Sequence, residues 1–146
     1  MIRNLEINFT SDKRISKLII HKAVSELKKE FDFEISSLVI SFVTSEEIIQ
    51  INKKYLKHNY STDIITFDYS KEKKNLDAEI FISINDAEYN AKRYGVNIGE
   101  EIIRLIVHGM LHLIGYNDKK KQDKILMKKE EERLLNKYKP EFLTLL

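Results

Sequence analysis

The chain of 146 residues contains no cysteine. It can build neither a disulfide framework nor a thiolate metal site, so any bound ion has to be held by His, Asp or Glu. The absence also agrees with a reducing compartment. Tryptophan is missing too, proline occurs once and glycine four times. With so few chain breakers there is no linker, internal repeat or low-complexity stretch, and residues 1–146 read as a single domain. No apolar run approaches the roughly 18 residues that a membrane span requires. The opening residues, Met1 to Asn8, lack the apolar stretch of a signal peptide. The expectation is a cytoplasmic protein with no membrane partner.

What is present is a foldable composition, 42% hydrophobic and 33% charged. That is enough apolar matter for a core and too much for a disordered chain. The net charge of +2 says little, but its distribution is uneven. From Lys119 to Lys139 the sequence has nine Lys or Arg against four Asp or Glu. Such a segment attracts phosphates, although a charge run on its own is more commonly a solvated helix face.

Hydrophobic spacing places the elements. Residues 2–9 alternate imperfectly and read as a strand. Residues 14–31, with Ile15, Leu18, Ile19, Ala23, Leu27 and Phe31, have helical spacing. Residues 36–43 read as a buried strand. Thr44 and Glu47 form a capping box for a short helix with Ile48, Ile51 and Tyr55 inward. Residues 56–62 are a polar loop. Residues 63–69 and 78–84 are rich in strand formers, with a charged turn from Ser70 to Asp77 between them. Ser83 caps a helix that Gly95 ends, and Asn97 opens another whose interior, Ile102 to Ile114, is apolar on most sides. A last helix spans about 119–137, with Ile125, Leu126, Leu134 and Leu135 inward. The expected fold class is α+β, with about four strands in a mixed sheet and about five helices, a central buried one carrying the histidines. The strand order is not legible from pattern.

The most informative segment is His108-Gly-Met-Leu-His112-Leu-Ile-Gly115-Tyr-Asn-Asp118. Residues four apart stack on one helix face, so His108 and His112 can aim at a common ion. One helix face cannot surround a cation. Gly115 tolerates positive φ and lets the chain turn back, bringing Asp118 within reach as a third ligand. His-x3-His-x2-Gly-x2-ligand is the spacing of metzincin sites. Two imidazoles and a carboxylate, with a fourth position left to water, are the donor set of a catalytic zinc site. Two structural histidines are the bland alternative, but imidazoles on a buried apolar helix are costly without partners. Where His-Glu-x-x-His proteases carry their general base, this chain has Gly109, which argues against proteolysis.

The same segment resembles the signature of the YbeY family of bacterial rRNA-maturation endoribonucleases, His-Gly-x-Leu-His-Leu-x-Gly-Tyr-Asp-His. A second stretch is similar as well. Asn52, Tyr55 and Thr62-Asp63-Ile64-Ile65-Thr66-Phe67 correspond to the family's Asn, Tyr and Thr-Asn/Asp-Val-Leu-Ser-Phe, and Ala78-Glu79-Ile80-Phe81-Ile82 to its Gly-Asp-Ile-x-Ile strand. The chain departs from the pattern at Asp118, usually His, at Leu56, usually Arg, and at Ala78-Glu79.

The donor set implies one zinc ion with three protein ligands and water, and the resemblance implies a single-strand-specific endoribonuclease. It would act in 16S rRNA 3′-end maturation and ribosome quality control, alongside proteins of the small ribosomal subunit. Lys57, His58 and Arg104 are candidates for the positive charge at the reaction centre. The candidate RNA contacts are Lys57, His58, Arg104, Tyr116, Lys119 and Lys120, with Lys121, Tyr55 and Tyr60 behind them, although core packing is the expected role of Tyr55. Thr62 and Asp63 would support the site. The general base is unassigned, with Glu79 or a substrate group as the options. Two other readings stand beside this one: a non-catalytic RNA-binding assembly factor with a structural metal, and hydrolysis of another small substrate.

Overall fold

The structure, a computed structural model, describes residues 2–58 and 60–143, the last four by backbone alone. In chain order the elements are β1 (Leu5–Phe9), α1 (Lys17–Phe31), β2 (Glu34–Val43), α2 (Ser45–Leu56), β3 (Ile64–Asp68), β4 (Asn75–Ser83), α3 (Ile84–Tyr94), α4 (Ile98–Leu113) and α5 (Lys121–Leu143). The α+β class, the four-stranded mixed sheet and the five helices are those expected. The strand order is β1-β2-β4-β3, with β1, β2 and β4 parallel and β3 antiparallel at one edge.

Register explains how the sheet meets its helices. Ile7, Ile40, Ile80 and Thr66 lie in one row across the four strands. Side chains alternate between faces along a strand, so this row and its neighbours Leu38, Phe42 and Ile82 share the face that packs on the helices in the main core. Ile40, Ile80 and Ile82 have no solvent exposure. Each such burial contributes about 1.5–3 kcal/mol. The opposite face carries a smaller cluster of Val43, Ile48 and Ile65 beneath α2.

Local chemistry sets the helix ends. Thr44 accepts from the Glu47 N–H while Glu47 reaches back to the Thr44 N–H, the capping box of α2. Ser83 and Asn97 cap α3 and α4 by accepting from the N–H groups of Asp86 and Glu100. Helix α4 is buried almost all round, and Gly109 lets it sit on the sheet. A methyl there would lie 3.1 Å from Ile64 Cδ1 and 3.3 Å from both Ile80 Cδ1 and Thr66 Oγ1.

Two inward assignments are corrected. Ile125 and Leu126 are 53% and 59% exposed, and the buried stripe of α5 is Met127, Glu131, Leu134 and Tyr138. Three apolar residues in a row cannot all face the core of a helix, and the true stripe contains a carboxylate that disguises it. Tyr55, at the end of α2, is 59% exposed, packs edge to face with Phe67 at 5.6 Å between ring centroids, and has Lys54 Nζ 5.2 Å over its ring.

Candidate metal centre

Helix α4 delivers two imidazoles to one point. His108 and His112 are a turn apart on its half-buried face, with ring centroids 4.9 Å apart and planes at 80°. The helix then ends in a Schellman turn: the Tyr116 N–H donates to Leu111 O at 3.0 Å and the Gly115 N–H to His112 O at 3.2 Å. Gly115 adopts φ 117°, a conformation that a side chain would strain. The reversal carries Asp118 back over His112, with Nε2 to Oδ2 at 3.7 Å. Each of the three residues offers a ligand atom within 4.8 Å of the others, so His108, His112 and Asp118 can hold a metal ion.

The electrostatics suit that use. Burial, then the neighbouring His108, pushes the His112 pKa down, favouring the neutral imidazole that can ligate a metal. The Nδ1 of His108 is 2.8 Å from Glu131 Oε1, which leaves its other ring nitrogen free. Two borderline imidazoles and one hard carboxylate make a donor set that suits zinc and related divalent ions.

The site lies in a cleft between α4 and the edge strand β3, lined also by Thr62, Asp63, Ile64, Thr66 and Asp68. Asp63 is largely buried, and that burial raises its pKa. Asn90 Nδ2 donates to Asp63 Oδ2 at 3.1 Å. Thr62 and Asp63 therefore line the same cleft as the two histidines. Glu79 does not. It pairs across the sheet with Phe67, whereas its strand neighbour Thr66 faces Gly109, so Glu79 is on the opposite face from the cleft.

None of the cationic and aromatic candidates is among the described residues that line this cleft. Lys57 is the left-handed C-cap of α2, and His58 beside it stacks on Tyr60 and shares a 2.9 Å hydrogen bond with its hydroxyl. Lys119 and Lys120 are exposed and follow Asp118 directly. Tyr116 is half-buried against Phe31, edge to face at 6.5 Å. Arg104 is engaged by two carboxylates, with Glu101 bound through Nε at 2.8 Å and NH2 at 2.6 Å, and with Glu131 at 3.4 Å. Its pKa is raised further by that pairing, chiefly by the hydrogen bonds to Glu101.

Sequence reasoning missed Glu101 and Glu131. Both are buried, 1% and 7% exposed. The one available signal was their spacing: Glu101 lies three residues before Arg104 on the helix that carries the histidines, and Glu131 sits in phase with Met127 and Leu134.

Comparison with known proteins identifies the family. Residues 2–139 match the family model described as Endoribonuclease YbeY. A protein of that name from Chlorobium phaeobacteroides is 36% identical over 138 residues, which cover 94% of this chain and 96% of the relative. Another, from Karelsulcia muelleri, is 46% identical over 106 residues, covering 73% of this chain and 74% of the relative. The fold is similar to the solution structure of a Thermotoga maritima protein, with a TM-score of 0.59 and 22% identity, covering 94% of this chain and 93% of that one.

Proposed function

The chain belongs to the Endoribonuclease YbeY family, and from that premise we propose that it is a metal-dependent endoribonuclease specific for single-stranded RNA. Its ion is held by His108, His112 and Asp118. The observation that carries this reading is the convergence of their three donor atoms within 4.8 Å in an open cleft. The biological setting in this reading is maturation of the 16S rRNA 3′ end and ribosome quality control in the cytoplasm, next to small-subunit proteins. Among the described residues no helix is long and apolar enough to cross a membrane.

Zinc is the ion proposed, and when bound it supplies Lewis acidity at the scissile phosphate. The chain's own residues do the rest. His108 and His112 hold their rings on the rigid helix α4, and Asp118 closes the set from the turn. Lys119 and Lys120, which follow Asp118, together with Lys57 and His58 at the end of α2, neutralise the backbone phosphates that flank the cut. Tyr116 and Tyr60 offer ring faces to unpaired bases. Thr62 and Asp63 shape the cleft wall.

The test is cleavage of single-stranded and duplex RNA by the pure protein, with and without a chelator, repeated for His112→Ala. Cleavage of the single strand alone, lost with chelator and in the variant, supports the reading. Activity in His112→Ala equal to the parent removes the site. One observation favours a second reading, an assembly factor that binds RNA without cutting it: Leu56 stands where the family carries an arginine, and Arg104 is already paired with Glu101 and Glu131. RNA binding with no cleavage at any metal would favour that alternative.

A further inference from the structure

An ionic chain of two buried glutamates and a half-buried arginine runs from the interior of the protein to the back of His108. It begins at Glu101, which is 1% exposed. Both Glu101 oxygens are taken by Arg104, Oε1 by Nε at 2.8 Å and Oε2 by NH2 at 2.6 Å. The remaining Arg104 nitrogen, NH1, reaches Glu131 Oε2 at 3.4 Å. The other oxygen of Glu131 meets His108 Nδ1 at 2.8 Å. Asn90 joins the inner end, with Nδ2 at 3.4 Å from Glu101 Oε2 and 3.1 Å from Asp63.

Resting on the metal-centre reading above, we infer that Glu131 is a positioning residue for the ion: it fixes the tautomer and the ring plane of His108, and Arg104, clamped by Glu101, fixes Glu131. An ionised carboxylate only accepts hydrogen bonds, so the proton of the His108 ring is on Nδ1. The lone pair is then on Nε2, the nitrogen left for the cluster. Free neutral imidazole in histidine prefers the opposite tautomer, so the carboxylate imposes a choice that solvent would not.

Stability alone does not account for the chain. Replacing a buried ion pair with apolar side chains of similar volume is often neutral or stabilising. Here two carboxylates face one guanidinium, and the surplus negative charge is aimed at a ligand nitrogen. Carboxylates that receive the second ring N–H of a ligating histidine orient it and raise its basicity. Glu131 is on α5 and His108 on α4, so the contact also fixes the two helices in register. The same geometry gives Arg104 a role within the protein in place of a phosphate contact.

The first arm of the test uses metal-free protein and nitrogen-resolved NMR of the histidine rings at pH 8. The expected result is His108 protonated at Nδ1. An Nε2–H ring overturns the inference and needs no variant to do so. The second arm titrates zinc against a chromophoric chelator. Glu131→Ala should weaken zinc by about 10–100-fold, whereas Glu131→Gln, which keeps an acceptor oxygen and the volume, should retain most of the affinity. Parental affinity in folded Glu131→Ala overturns the inference and leaves the metal centre standing. A parent chain that takes up no zinc overturns both.

Discussion

His112 Nε2 and Asp118 Oδ2 face each other at 3.7 Å across the turn made by Gly115. That is too long for a hydrogen bond and close to the roughly 3.3 Å that separates two donors of one tetrahedral zinc ion with bonds of about 2.0–2.1 Å. The carboxylate is therefore spaced from the imidazole as a second donor to one ion would be, and is too far away to be its hydrogen-bond partner. Asp118→Ala should weaken zinc at least tenfold. Asp118→His, which restores the residue usual in the family, should keep zinc and lower the relative affinity for manganese, since a nitrogen donor replaces a hard oxygen. Competition titrations with the two ions check both outcomes. Equal zinc affinity in the alanine variant would remove Asp118 from the ligand set.

Gly109 is where α4 meets the sheet, and even a Cβ there would be tight against its neighbours. Gly109→Leu puts a branched side chain against Ile64, Ile80 and Thr66, the nearest of them 3.1 Å from where its first carbon would be. Leucine is a better helix former than glycine by nearly 1 kcal/mol, so propensity predicts stabilisation. Overpacking should win, with a net loss of about 1–3 kcal/mol in urea unfolding. A variant as stable as the parent would show that the contact is loose.

The phase of α5 has its own test. Leu126 is 59% exposed and Leu134 fully buried. Leu126→Gln should change stability by no more than about 0.5 kcal/mol, while Leu134→Ala should cost about 2–5 kcal/mol. The reverse ranking would mean that the helix is rotated.

Glu30, near the end of α1, ties that helix to α5. Its Oε2 accepts from Lys137 at 2.8 Å and Tyr138 at 3.0 Å, and its Oε1 from Arg133 at 2.8 Å. The hydrogen bonds from Lys137, Arg133 and Tyr138 bring the Glu30 pKa from 4.5 down to about 2. Because the folded value lies below the ordinary one, the stabilisation is complete above about pH 4.5 and is lost as pH falls towards 2. The melting temperature of Glu30→Gln should thus lie below that of the parent at pH 6, and the gap should close through that acid window. A gap that is constant with pH would show that the carboxylate's charge contributes nothing.

The clustering of His108, His112 and Asp118 was legible in the sequence because its logic is local. His108 and His112 are spaced by one helical turn, and Gly115 marks the reversal that returns Asp118. The helix caps Thr44, Ser83 and Asn97 were legible for the same reason, since each acts within three residues. The strand order was not legible, because β2 and β4, which pair in parallel, are separated by α2 and β3, and no local signal specifies which strands meet. The α5 stripe was misread because Glu131 occupies a core position. A buried carboxylate looks like a solvent face until its partners, Arg104 from α4 and His108 one turn further on, are in view. The general base was not legible either, and of its two options register puts Glu79 on the far side of the sheet.

The most direct measurement is elemental analysis of protein stripped with chelator, re-supplied with zinc and freed of excess by gel filtration. One zinc per chain in the parent, and almost none in His112→Ala with an unchanged circular dichroism spectrum, is the result expected of three side chains gathered around one cation. A parent chain that retains no stoichiometric metal, or a His112→Ala chain that retains as much as the parent, would contradict it.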